Sequence, residues 1–143
     1  MSHARQQIRE AVATLVTGLT TTGGNVFQSR VYRLQASELP ALLVYTNSET
    51  VERSHMTSGL VRELTLRVEG IAKALVNIDD TLDTIGAEVE AALGGQEPAG
   101  VEDLVLQSAD VTINGEGEQQ VGAIVMDYLV RYRTNEAAPE TIL

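Results

Sequence analysis

The sequence predicts an α+β fold: a mainly antiparallel sheet of about five strands with two helices packed on one face. Three observations lead there. Two segments carry apolar residues at helical spacing, one segment alternates apolar and polar residues with period two, and the order reads helix, three strands, helix, two strands. At 143 residues and 43% hydrophobic content, the chain suits one domain with a single core. Aromatics are scarce, with one Phe, four Tyr and no Trp, so Leu, Val, Ile and Ala must build that core.

The first helix is expected over residues 2–19. Ile8, Val12, Leu15, Val16 and Leu19 recur at steps of three and four, Ser2 is placed to cap the start, and TTTGG at 20–24 ends the run. Val26 to Leu34 alternates irregularly and makes a weak strand. Ala41 to Thr46 is apolar on both faces, as a covered strand should be, and Pro40 sits at its first position, where no ladder donor is needed. Thr46 to Gly59 has little to bury and reads as a long polar loop.

Residues 60–74 give the clearest strand signal. Leu64, Leu66 and Val68 alternate with Glu63, Thr65, Arg67 and Glu69, so one side is wet or faces a partner. A second helix follows over 77–93, with Ile78, Leu82, Ile85, Val89 and Leu93 as its stripe. Asn77 is the expected cap, Asp79, Asp80 and Asp83 suit the positive end of the helix dipole, and Gly94-Gly95 stops it. Residues 104–113 and 121–134 then pair as a hairpin around NGEGE at 114–118, and the tail NEAAPETIL is expected to fray.

Charge excludes some functions. Twenty carboxylates against nine Arg and one Lys give a formal charge of −10 and a pI near 4.5. Tight nucleic-acid binding needs a cationic surface to displace counterions, and anionic lipid repels such a chain. No cysteine is present, so there is neither a disulfide framework nor a thiolate site. The N-terminal MSHARQQIRE has no apolar core like that of a signal peptide, and no run reaches membrane-spanning length, so a cytoplasmic protein is expected.

Chemistry is hard to find. His3 and His55 lack ligand-spaced partners, which argues against a zinc site. Asp79, Asp80 and Asp83 lack the D-x-D-x-D-G spacing of a calcium loop, G-x-S-x-G does not occur, and NGEGEQQ lacks the Lys and Ser/Thr of a phosphate loop. No catalytic, cofactor or metal residues are nominated, and the expectation is not an enzyme. The less ordinary feature is Arg62, Arg67, Arg131 and Arg133 on strands in a chain with a single Lys. Arg favours bidentate, partly desolvated pairs at interfaces. Ordinary surface pairing with Glu63 or Glu69 would explain these arginines equally well.

With these residues in order, the layout resembles a known family. LPALLVY at 39–45, a polar loop, ELTLRVEGIA at 63–72, the helix DDTLDTIGAEVEAAL at 79–93 and a final MDYLVRY at 126–132 are similar to the minor tail protein U family, the tail terminators of long-tailed phages. The resemblance spans about residues 5–133. It implies a single domain over 1–135 with a flexible tail at 136–143. It also implies a structural role in the virion tail after assembly in the host cytoplasm: a homohexameric ring that caps the tail-tube protein, stops its polymerisation and meets a head-completion or neck protein. An acidic lumen would let DNA pass without sticking.

Under that reading Arg62, Arg67, Asp127, Arg131 and Arg133 are candidate subunit contacts. Asn47, Glu49, Glu52, Arg53 and His55 are candidate contacts of the polar loop with tube or neck. The alternatives are another neck or tail-completion ring protein, a tail-tube subunit, or a small acidic ligand-binding domain or enzyme.

Overall fold

A computed structural model describes residues 2–29, 36–54, 59–74, 76–114 and 120–143. The chain forms α1 (Ala4–Leu15), β1 (Val26–Phe27), β2 (Ala41–Arg53), β3 (Gly59–Ala74), α2 (Ile78–Leu93), β4 (Asp103–Asn114) and β5 (Gln120–Asn135). Short 3-10 turns at Ala36–Glu38 and Pro98–Gly100 link them. The sheet runs β1-β2-β3-β5-β4, with β1 parallel to β2 and every other neighbouring pair antiparallel. The α+β expectation therefore holds.

Both helices lie on one face. Ile8 and Val12 of α1, Val16 just after it, and Ile78, Leu82, Ile85, Val89 and Leu93 of α2 join one buried cluster with Leu42, Val44, Leu64, Leu66, Val68, Ile124, Met126, Val130 and Tyr132 of the sheet. Each large aliphatic side chain so buried contributes about 1.5–3 kcal/mol. Small residues let α2 approach closely: a Cβ on Gly70 would stand 2.7 Å from Ile85 Cγ2, and one on Gly122 would stand 2.8 Å from Leu82 Cδ1.

The ends of the elements differ from the sequence reading in instructive ways. Helix α1 is shorter than expected, and its cap is His3 rather than Ser2: the Arg5 N–H donates to His3 Nδ1 at 3.1 Å. Asn77 precedes α2 in a left-handed conformation, φ 57 and ψ 43, without a side-chain capping bond. Asn tolerates that conformation better than most residues. Only Val26 and Phe27 of the weak 26–34 strand are in the described ladder, and 30–35 lie outside the described residues. The 115–119 part of the expected hairpin turn does too.

Two expectations are overturned. The polar segment after Thr46 is not a loop: β2 continues to Arg53 and pairs with β3 down to Arg53↔Leu60. Its polar residues fit a strand because one of its faces meets polar partners, described below. The C-terminal residues are tied down instead of frayed. The Ala4 N–H donates to Pro139 O at 2.9 Å, Gln7 Nε2 donates to Glu140 O, and the Leu143 N–H donates to Arg133 O at 2.9 Å. Ile142 packs on the core, which gives the tail an apolar anchor.

Candidate assembly surface

A strand shows alternate side chains to opposite faces. On β3 and β5 the even-numbered residues from Leu64 to Ala72 and from Gly122 to Thr134 are buried towards the helices. The odd-numbered residues form the other face, over which no helix lies among the described residues. That face is a ladder of register pairs: Glu63 opposite Arg131, Thr65 opposite Leu129, Arg67 opposite Asp127, Glu69 opposite Val125, Ile71 opposite Ala123.

Several of its charges are paired within the subunit. Arg67 grips Asp127 with two bonds, Nε to Oδ1 at 2.7 Å and Nη2 to Oδ2 at 3.1 Å. Arg131 Nη2 donates to Glu63 Oε1 at 2.7 Å, Arg133 Nε pairs with Glu102 at 2.7 Å, and the Tyr45 hydroxyl donates to Glu69 at 3.3 Å. The hydrogen bond to Asp127 raises the Arg67 guanidinium above its ordinary value, with a further bond to Tyr45 adding to it. Bonding to Glu63 likewise raises Arg131. Partly exposed pairs of this kind add little to stability. They present planar, preformed charge patterns between half-buried Thr65, Ile71, Ala123, Val125 and Leu129.

The opposite, helix-side face carries a polar hub at its lower end. The Glu49 side chain is 5% exposed and receives Arg5 Nη1 at 3.0 Å and Arg62 Nη1 at 2.8 Å on Oε1, with the Tyr132 hydroxyl on Oε2. Arg62 Nε also donates to Thr134 Oγ1 at 3.0 Å. A register shift between Thr46 and Ser48 makes this possible. The bulge at Asn47 inverts the parity of β2, so that Glu49 turns inward where an unbroken alternation would turn it out. Burial, then the bond to Glu49, pushes the Tyr132 phenol above its ordinary value. Burial, then the positive charges of Arg5 and Arg62, lowers His3 beneath 6.5.

The candidate residues thus separate. Arg67, Asp127, Arg131 and Arg133 gather on the bare face. Arg62 does not join them: it lies five residues before Arg67, hence on the other face, and it is 7% exposed beneath the helices. Glu49 is a buried hub rather than a loop contact. Asn47 and Glu52 are exposed on β2, Arg53 is exposed and pairs with Glu136 at 3.0 Å, and His55 lies outside the described residues. Sequence reasoning missed Arg5, Tyr132 and Thr134 as partners of Glu49; only the core parity of Tyr132 and Thr134 with Tyr128 and Val130 was legible.

A cleft of about 240 Å³ beside the bulge is lined by Arg5, Thr46, Asn47, Ser48, Glu49 and Leu64. Its two charged groups, Arg5 and Glu49, are bonded to each other. Among the described residues no three His, Cys, Asp or Glu side chains converge as a metal site would require. No described helix is long and apolar enough to cross a membrane.

What the fold and this face define is a class: a helix-backed, mainly antiparallel sheet with one bare, ion-paired face. The comparison with solved structures finds a similar fold in a chain described as part of the virion of a native gene transfer agent particle. The match has a TM-score of 0.50 and 18% identity, and it covers 90% of this chain and 92% of that one. At that identity the likeness is one of fold. No protein-family profile and no curated sequence matches the chain.

Proposed function

We propose that the protein is a structural component of a phage-like particle and, more finely, a tail terminator. It would form a closed ring on the tail tube, a homohexamer as in the family it resembles, stop tube growth and offer a surface to a neck protein. The observation that carries this reading is the shared fold with a virion chain over nine-tenths of both molecules. The order of the LPALLVY strand, the alternating strand, the acidic helix and the final strand supports it independently.

Under this reading the bare face is an assembly surface. Its half-buried aliphatics need cover, and its preformed pairs at Arg67–Asp127 and Glu63–Arg131 can be covered without stranding a lone charge. Because the virion chain is described by its particle and not by its place there, a tail-tube subunit or another neck ring protein is the second reading. Electron microscopy of the purified protein, with its mass from light scattering, separates them. Closed rings that do not elongate support a terminator; long tubes make it a tube subunit; a monomer with no effect on isolated tails removes both.

A further inference from the structure

Two edges of the sheet are complementary in a way the bare face is not. At one edge, Gln107–Asn114 of β4 is exposed throughout, and no described strand pairs with its outer side. It contains neither Pro nor Lys, the residues with which proteins commonly blunt an edge. At the other, β1 covers β2 only at Leu42 and Leu43, and no described strand lies beside Asn47–Arg53. The two stretches have similar length, about 23–27 Å at the rise of a strand.

Their directions also fit. Since β2, β3, β5 and β4 alternate antiparallel, β4 runs opposite to β2. Two copies in the same orientation would therefore bring β4 of one against β2 of the next as an antiparallel pair. Exposed aliphatics accompany both edges on the helix side. Val111 and Ile113 are 46% and 39% exposed, with register partners Ile124 and Gly122 on the covered face; Val51 is 49% exposed, opposite buried Arg62.

Charge is divided the same way. Residues 74–130 hold twelve of the twenty carboxylates and neither Lys nor Arg, while every cation lies outside that segment. Exposed Asp79, Asp80, Asp83 and Glu90 belong to α2, which packs across β3, β5 and β4, whereas Arg5 and Arg9 belong to α1, which packs against β2. With both helices on one face, joining the edges brings α2 of one copy towards α1 of the next.

We infer that a second copy of this chain docks head to tail, its β2 edge at Asn47–Arg53 against the β4 edge at Gln107–Asn114. This rests on the ring reading and adds its contact: two different patches on one subunit, as a heterologous ring requires. It also leaves the ion-paired face exposed along the joined sheet, for contacts with other components of the particle.

The absence of native cysteine makes the test direct. Thr50 and Thr112 are exposed, and their register partners Glu63 and Ala123 lie on the bare face. T50C protein is mixed, at the highest soluble concentration and under mild oxidation, with T112C, D110C or S108C protein in turn. A mixed disulfide in at least one pairing, lost when V111K and I113K are added to the β4 partner, is the expected result. Equal yields of T112C homodimer would indicate a two-fold contact and overturn the proposal, as would no mixed disulfide in any pairing. Tail capping is scored separately: cross-linking without capping would sink the terminator reading alone, and capping without cross-linking would sink the edge contact alone.

Discussion

Glu49 carries more of the molecule than its position in a polar run suggests. It binds Arg5, Arg62 and Tyr132, and through Arg62 it reaches Thr134, so one carboxylate joins α1, β2, β3 and β5. Removing one partner of a buried pair leaves an uncompensated charge, which costs about 3–5 kcal/mol. Glu49→Gln should therefore lower unfolding stability by several kcal/mol in urea titration, and a loss under about 1 kcal/mol would contradict the hub. Titration adds two further checks. Burial pushes Tyr128 up to about 12 and raises Tyr132 as well. Both phenols keep their proton in the fold while unfolded ones lose theirs, so stability is present below pH 10 and lost as pH rises beyond it. Ultraviolet titration should show these two tyrosines ionising only with unfolding. His3 is the opposite case: its folded value lies beneath 6.5, so the unfolded chain binds the proton first and stability falls as pH drops through 6.5. In His3→Asn, which keeps a capping acceptor but does not titrate there, that step should vanish from the pH dependence of urea unfolding.

Among the elements, β3 and α2 were plainest in the sequence, because each has one apolar and one polar side and so advertises its period. The lower half of β2 was hidden for the opposite reason. Apart from Val51, Thr46 to Arg53 is polar on both sides, since its inward side meets Arg62 and Tyr132, and no period-two apolar signal survives. The bulge at Asn47 compounds this, because a parity shift leaves no trace in composition. Arg62 was misplaced beside Arg67 although five positions separate them, a parity that the sequence alone does contain. The assembly face was half legible: Arg67, Asp127, Arg131 and Arg133 stood out as strand arginines and a carboxylate, but their pairing awaited the register. The seat of α2 offers its own test. Gly122→Val would force a branched side chain into Leu82 and Ile78 and should cost about 1–3 kcal/mol, the range for overpacked cores. Gly24→Ala, with open space around it, should change thermal midpoint little by comparison.

At the scale of the whole molecule, the helices cover one side of the sheet and leave a partly ion-paired, half-apolar side, which the proposal assigns to assembly. Charge reversal at Arg67 should break its two bonds to Asp127 and weaken attachment to the particle while circular dichroism reports an unchanged fold. Preserved attachment by R67D and R131D alike would remove this face from the account. The central claim is that the protein ends a growing tube. The measurement that reaches it most directly is the length distribution, by electron microscopy, of tubes assembled from the cognate tail-tube subunit with and without this protein. The account predicts tubes that stop growing and carry one ring at a single end. Tubes that elongate unchanged, or that take the protein up along their length, would contradict it.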